Sequence, residues 1–361
     1  MLTENTDRMT ILPPPNRQTA IIVVIPVFNC KKYLKDAVDS VLCQPYQKIS
    51  IVLVDDGSTD GSWQLCDDLA SQDGRIVVIH QENAGVSAAR NAGIEYVLAQ
   101  SDNTDNKQYI AFLDADDCWT ENFFTDDFVK TFPETSIIRF QSVNCNSTLD
   151  RCSDTVNVAE GIYDGGASIV RKCLSSSFGA ALYANSLFHN PRIRFIESLK
   201  YSEDVLFLRS CAYNADSVAM FNRILYLYRN NPTSCVHTNT TSGFAYFDPI
   251  FHAYLTNDYD GAGVVSWYVV DAIEDHFKYG GTVLDAKRWA AEHSDYIAIA
   301  KEHGGDRASK ALTALEKYPY FYAGKLRLRG IAFRVARKLV HTWPISRLFD
   351  AYRYKNAIPN I

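Results

Sequence analysis

Tyr109-Ile-Ala-Phe-Leu-Asp-Ala-Asp-Asp117 is an apolar run that stops on three carboxylates. Tyr109 to Leu113 has the aromatic and aliphatic content of a buried strand. Asp114, Asp116 and Asp117 then fall at its carboxyl end, where open α/β sheets bind their ligands. Three like charges packed together repel, so the site calls for a positive partner. Oxygen-only ligands favour a hard divalent cation, Mg²⁺ or Mn²⁺, and such ions commonly accompany phosphates. The stretch therefore predicts a metal–diphosphate site on the rim of a parallel sheet.

Outward from this strand the same pattern recurs. Ile21 to Pro26 and Ile49 to Val54 read as buried strands, Arg75 to His80 as a third, with helices expected at Lys31 to Leu42, Trp63 to Ser71 and Gly85 to Ala99. Ser58 or Asp60 is placed to cap the second of these helices. Alternation of this kind implies right-handed βαβ units and a Rossmann-like, mostly parallel sheet flanked by helices. Past Thr240 strand signals give way to helical ones. The expected organisation is a tail over 1–20, an α/β domain over 21–240 and a mainly helical region over 241–361.

Four strand ends then meet on one rim: Pro26-Val-Phe-Asn29, Asp55-Asp56, Asn83-Ala-Gly85 and Asp114 to Asp117. Phe28 can stack on a planar base while Asp55 or Asp56 accepts from a ring N–H. Gly85 permits close backbone approach, and Arg90 is placed to reach a phosphate. Neither GxGxxG nor GxxxxGK[ST] occurs at a strand–helix turn, which argues against dehydrogenase and ATPase readings.

Val24-Ile-Pro-Val-Phe-Asn29, Val54-Asp-Asp-Gly-Ser-Thr-Asp60, Asn83-Ala-Gly-Val-Ser-Ala-Ala-Arg-Asn-Ala-Gly93 and Phe112-Leu-Asp-Ala-Asp-Asp117 together resemble family 2 glycosyltransferases of the GT-A fold. The resemblance is close from Ile21 to Trp119, looser to His237, and absent beyond. It implies a UDP-sugar donor, a divalent metal (Mn²⁺ or Mg²⁺) and inversion at the anomeric carbon. Carried over, Phe28 with Asp56, and Asp55 nearby, would hold uracil. Pro26, Asn29, Asn83, Gly85, Arg90 and Ala115 would line the nucleotide-sugar. Asp114 would serve the ribose and Asp116 the metal of a DXD motif.

An inverting transfer also needs a base for the acceptor hydroxyl. Tyr201-Ser-Glu-Asp-Val-Leu-Phe207 resembles the family's Glu-Asp motif before a helix; on that match Asp204 is the base and Glu203 its neighbour, the reverse assignment staying open. Ser202-Glu203-Asp204 alone would read as a helix cap. Arg229, in Tyr226-Leu-Tyr-Arg229, resembles an arginine kept near the diphosphate, and His237 stands where the fold commonly places a C-terminal histidine on the metal. Ser175-Ser-Ser-Phe-Gly-Ala180 reads as a wall of the acceptor pocket or a plain loop. Leu182-Tyr-Ala-Asn-Ser-Leu187 lacks the lysine expected in relatives.

Of 361 residues, 47% are hydrophobic and 22% charged, ordinary for a globular protein able to bury two cores. No apolar run approaches the roughly 18 residues of a membrane span, and the polar start lacks the layout of a secretory signal. Nine cysteines without metal-type spacing read as reduced thiols, giving an expectation of cytoplasmic residence. From Lys325 to Lys355 nine basic residues face one acid, a net +8; with −6 overall the remainder carries −14. Leu328, Ile331, Val335 and Leu339 recur there at helical spacing, with Arg327, Arg334 and Lys338 on a neighbouring face. This tail reads as a basic amphipathic helix lying on the inner face of the cell membrane, or as a terminal helix packed on its own domain. The resemblance extends that to a glycan or polyprenyl-diphosphate-linked acceptor in bacterial polysaccharide biosynthesis. The acidic body argues against nucleic acid as a partner. A nucleotidyltransferase of similar sheet, or a non-catalytic sugar-nucleotide or glycan-binding module, stand as the alternatives. The former lacks its Gly-rich loop after the first strand, and the latter is disfavoured by the presence of every expected carboxylate.

Overall fold

A computed structural model of the chain describes residues 19–100, 107–151, 159–165, 177–199, 203–231, 262–278, 282–303 and 305–328. Four strands, β1 (Ala20–Val27), β2 (Ile49–Asp56), β3 (Ile76–Gln81) and β4 (Gln108–Phe112), run parallel in the order β3-β2-β1-β4. Their carboxyl ends therefore share one edge of the sheet. Beyond β4 the sheet continues through β8 (Ala181–Ala184), β6 (Ile137–Cys145) and β9 (Ser217–Arg229) to the two-residue β5 (Cys118–Trp119), and β7 (Gly161–Asp164) pairs with β9. In this half only β6 and β9 are parallel; β8, β5 and β7 join antiparallel. The parallel expectation thus holds for the first βαβ units, and the later strands make the sheet mixed.

The helices α1 (Leu34–Leu42), α2 (Ser62–Gln72) and α3 (Val86–Gln100) follow β1, β2 and β3. The start of α2 departs from the expected cap. Gly61, at φ +90°, is the capping residue; the Asp60 carboxylate accepts from the Ser62 backbone N–H at 2.9 Å, while the Ser58 hydroxyl instead accepts from the Asn29 N–H at 3.1 Å. A short α4 (Asp126–Lys130), capped by Thr125, precedes β6. α5 (Glu203–Asn214) crosses the sheet and leads into β9.

Two apolar layers cover the sheet. One gathers Ile21, Val23, Ile25, Leu34, Val38 and Phe124; the other gathers Val24, Val54, Ile94, Phe112, Phe195 and Phe207. The C-terminal helices α6 (Ala262–Lys278), α7 (Val283–Glu292), α8 (Ser294–His303), α9 (Gly305–Lys317) and α10 (319–328) form a third core. That core takes in Ile196, Leu199 and Leu206, so the helical region packs directly on the start of α5. The expected boundary near residue 240, the 1–18 segment and the tail from residue 329 lie outside the described residues.

Gly93 marks the tightest helix–sheet approach. A Cβ there would sit 2.3 Å from Val24 Cγ1, a fully buried and stiff side chain. Helix propensity alone favours alanine over glycine by about 1 kcal/mol, but overpacking a core costs roughly 1–3 kcal/mol. Gly93→Ala should therefore destabilise, by up to about 2 kcal/mol on those magnitudes. The urea midpoint checks this; an unchanged or higher midpoint would contradict the packing.

Candidate active site

The first two strand ends are stitched together by side chains. Asn29 holds a positive φ of 51°, which asparagine tolerates better than most residues. Its Oδ1 accepts from the backbone N–H groups of Thr59 at 2.8 Å and Asp60 at 3.3 Å. Lys31 N–H donates to Asp60 and Cys30 N–H to the Ser62 hydroxyl. Pro26 and Val27 are buried beneath, while the Phe28 ring, 48% exposed, stands out on the rim. An aromatic face held open beside a buried carboxylate pair is a base-sized platform.

Asp55 and Asp56 are both buried but differently engaged. Asp55 accepts from Ser58 N–H at 3.2 Å and pairs with His80 Nδ1 at 3.1 Å; His80 Nε2 meets Asp67 at 3.1 Å. These two carboxylates, Asp55 foremost, hold the imidazole above its ordinary pKa. Asp56 accepts from Gln81 Nε2 at 2.8 Å and from the backbone N–H groups of Ala84 at 2.8 Å and Gly85 at 2.9 Å. The Asn83 amide closes the turn by donating to the Asp56 carbonyl. Gly85 adopts φ +94° with open space around its α-carbon, so backbone conformation is what requires glycine here. A carboxylate has about four acceptor positions, so Asp55 and Asp56 each retain capacity for a further donor.

The three aspartates after Leu113 have separate surroundings. Asp117 is buried and structural: Tyr226 O–H donates to its Oδ2 and Arg229 N–H to its Oδ1, each at 2.7 Å. Burial pushes its carboxyl well up, and the neighbouring Asp114 and Asp116 charges add to that. Asp116 is also raised by burial, while the Asn231 amide donates to its Oδ2 at 2.9 Å and opposes the rise. Ala115 is buried between them. Asp114 faces the opposite way, its Oδ1 accepting from Arg90 Nη2 at 2.7 Å.

Two arginines lie elsewhere than toward open solvent. Arg229 donates through Nε to the Asp116 carbonyl at 2.7 Å, through Nη1 to Ser147 O at 2.9 Å and through Nη2 to Asp36 at 3.0 Å, with its plane over the Tyr33 ring. Its guanidinium braces the aspartate turn from behind. Arg90, 3% exposed, reaches past Asp114 to Glu203, with Nη1 donating to Oε1 at 3.0 Å. Glu203 and Asp204 open α5, where an exposed pair would serve the helix dipole. Here burial pushes both carboxyls up and the Arg90 charge opposes it. Asp204 Oδ1 accepts from Val205 N–H at 2.7 Å. Its other oxygen has no partner among the described residues.

The structure thus gathers Phe28, Asn29, Asp55, Asp56, Asn83, Gly85, Asp114, Ala115 and Asp116 along one rim and joins Glu203 and Asp204 to it through Arg90. His237, and Ser175 and Ser176 of the expected acceptor wall, lie outside the described residues. Phe178 to Ala180 of that segment are buried under the site, with the Gly179 α-carbon against the Tyr226 ring. They form a buried turn, in keeping with the plain-loop alternative. Tyr226 and Asn231 were not foreseen. Their positions follow from the antiparallel pairing of Trp119 with Tyr226, a register that residue spacing does not reveal.

With this geometry in view, comparison with known proteins is direct. Residues 22–137 match the family described as Glycosyl transferase family 2, and this segment is a domain of that family. The sheet has the GT-A fold: the structure of Staphylococcus aureus TarS 1-349 in complex with UDP-GlcNAc superposes with a TM-score of 0.60 at 18% identity, over 86% of this chain and 89% of that one. Glycosyltransferase GlyA of Streptococcus pneumoniae is 32% identical over 224 residues, 58% of this chain and 30% of GlyA. The minor teichoic acid biosynthesis protein GgaA of Bacillus subtilis is 26% identical over 227 residues, 57% of this chain and 46% of GgaA. The chain therefore spans less than half the length of either of these two relatives.

Tyr226→Phe tests the buried lock. It strips a donor from Asp117 and an acceptor from Asp114 N–H. Leaving a buried carboxylate short of a partner costs about 1–3 kcal/mol. The lost donor favours the ionised form, so the destabilisation should be larger at pH 8 than at pH 5. Denaturant unfolding at the two pH values measures it, and equal stability to the parent at both would remove the hydroxyl from the structural account.

Proposed function

We propose that the chain is an inverting, metal-dependent glycosyltransferase moving a sugar from a UDP-sugar to a hydroxyl of a glycan acceptor, polyprenyl-linked, in polysaccharide assembly. The observation that carries this reading is the Asp114–Arg90–Glu203 bridge. It joins a nucleotide-sized rim to a buried carboxylate pair that arrives some ninety residues later in the chain. The family match over 22–137, the UDP-GlcNAc complex of a protein with the same fold, and the teichoic-acid role in GgaA's name support it.

In this reading Phe28 stacks on uracil and Asp56, with Asp55, accepts from its ring N–H. Pro26, Asn29, Asn83 and Gly85 shape the turn around the base, and Asp114 accepts from a ribose hydroxyl. Asp116 is the protein's metal ligand, with His237 as a second. The donor set fits such an ion: Asp116 is an oxygen ligand in a cluster of like charges, and one of its carboxylate oxygens has no partner among the described residues. Those residues hold no group of three or more His, Cys, Asp or Glu arranged as a closed metal cage, so the diphosphate would complete the shell. A Mn²⁺ or Mg²⁺ ion there would neutralise charge developing on the leaving diphosphate. Arg229 serves by fixing the turn that presents Asp116.

Glu203 is committed to Arg90, whereas Asp204 keeps an oxygen free. Asp204 is therefore the base. As the acceptor oxygen attacks the anomeric carbon from the face opposite the nucleotide, Asp204 takes the hydroxyl proton, the carbon–oxygen bond to the β-phosphate breaks, and UDP departs. Burial raises the Asp204 carboxyl toward the pH at which it works, as a general base requires.

We place the catalytic unit at 21–240 and a supporting helical region at 241–361. On α10, Tyr320, Phe321 and Leu328 are exposed beside Lys325 and Arg327, a combination suited to a lipid–water interface. No helix among the described residues is long and apolar enough to cross a membrane, so attachment in this reading is peripheral.

Two experiments test these assignments. Metal-dependent UDP binding, followed calorimetrically, should vanish in Asp116→Ala, whereas Asp204→Asn should keep UDP affinity within about threefold and lose transfer by on the order of 100-fold or more. Undiminished binding in the first variant refutes the metal assignment, and surviving transfer in the second moves the base to Glu203. Separately, removing residues 329–361 together with Tyr320→Ser and Phe321→Ser should abolish sedimentation with anionic liposomes while sparing UDP-sugar hydrolysis. Leu326 stays in its buried position in this design. Equal liposome binding by the altered protein would refute the membrane reading.

A further inference from the structure

Arg90 was expected at a phosphate, yet its guanidinium is almost wholly buried and bonded on both prongs to protein carboxylates. It projects from α3, lies over the rings of Phe178 and Phe195 at 4.6 and 5.1 Å, and touches β4's aspartate turn on one side and the first residue of α5 on the other. The rings below it are packed without slack. Phe195 stacks on Phe207 at 3.8 Å, and Phe112 meets both edge-on at 5.2 and 5.4 Å. Phe112 stands two residues before Asp114, and Phe207 one turn after Glu203. The two carboxylates are thus held at a spacing that a planar two-pronged cation spans.

We infer that Arg90 is a positioning residue that ties the donor side of the site to the base side, holding Asp114 and Glu203 to one guanidinium so that Asp204 is left as the proton acceptor. This rests on the transferase reading above and assigns Arg90 a task within it distinct from substrate contact. Among the described residues, Asp204 feels Arg90 from α3, Asp114 from the β4 turn and Glu203 beside it; Glu203 feels Arg90 and Asp204. Arg90 exerts the largest charge effect on each of them. Without it, Asp114, Glu203 and Asp204 face one another with no guanidinium between them, and the carboxyl pKa of the pair rises further.

The sign of the effect separates this role from a purely structural one. Removing the cation raises the carboxyl pKa of the Glu203–Asp204 pair, so the acid limb of the transfer profile moves to higher pH. Removing the negative neighbour lowers it, so the limb moves the other way. Arg90→Gln should therefore shift the limb upward by about one unit or more, a tenfold or larger change in the fraction of active base at a pH below it. Glu203→Gln should shift it downward. Arg90→Lys keeps the charge and loses the fork, so transfer falls with the limb in place. UDP affinity in Glu203→Gln should remain within about threefold of the parent, because that carboxylate meets Arg90 and not the nucleotide.

The experiment combines pH–rate profiles for UDP-sugar turnover with a carboxyl ¹³C NMR titration of the same proteins, assigned with Asp204→Asn. The titration needs no sugar donor. Opposite shifts in the two Gln variants support the tie even if the donor proves not to be a UDP-sugar, a result that would overturn only the transferase reading. Identical titrations in parent and variants overturn the tie. Should Arg90→Gln not fold, Glu203→Gln decides alone: an unmoved Asp204 titration overturns the proposal.

Discussion

Five carboxylates crowd the edge of this sheet, and the constraint that organises the molecule is how their charge is tolerated away from water. Asp116, Asp117, Glu203 and Asp204 lie where burial penalises ionisation, with the half-buried Asp114 among them, and an unpaired buried charge is among the costliest defects a fold can carry. Two guanidiniums answer it from opposite sides. Arg90 lies between Asp114 and Glu203, and Arg229 grips the turn behind Asp116 and donates its own N–H to Asp117. Tyr226 completes the lock with one hydroxyl shared between Asp117 and the Asp114 backbone. What remains accessible is a short arc: part of Asp114, one side of Asp116 and one oxygen of Asp204.

The scaffold beneath serves that arc. Phe112, Phe195 and Phe207 couple β4 to α5 through ring contacts, so a shift of α5 would have to break an aromatic stack. On its far side the same helix anchors the C-terminal bundle through Leu206, with Ile196 and Leu199 close by. The helical region is thus a buttress for the helix that carries Glu203 and Asp204. Hydrogen bonds that Asn29, Asp55 and Asp56 accept from backbone N–H groups of neighbouring turns give the rim the same quality. The pocket's shape is written into side-chain-to-backbone bonds between strand ends far apart in the chain.

Much of this was legible before any coordinates. The parallel strands and their helices follow from apolar runs punctuated by turn residues, and the rim follows from the rule that such sheets bind ligands at their carboxyl ends. The Glu203–Asp204 pair was recognisable by motif. Other features were misread or missed. Of Ser58 and Asp60, either of which reads as a cap for α2, Asp60 accepts from the Ser62 N–H while Ser58 receives the Asn29 N–H. Phe178 to Ala180, read as part of a pocket wall or a plain loop, are a buried turn. Arg90 was aimed at a phosphate, because a lone arginine in a polar-looking motif gives no sign of its own burial.

The sequence by itself determined the strand–helix alternation, the carboxylates at the strand ends and the chemistry they suit, because these depend on local periodicity and on residue type. Tertiary structure alone decided which charges meet. The partners of Arg90 are 24 and 113 residues away, and Tyr226 reaches Asp117 across 109. Those pairings depend on the mixed half of the sheet, where β8, β6 and β9 set the register. Register between distant strands is an outcome of packing that no local pattern encodes.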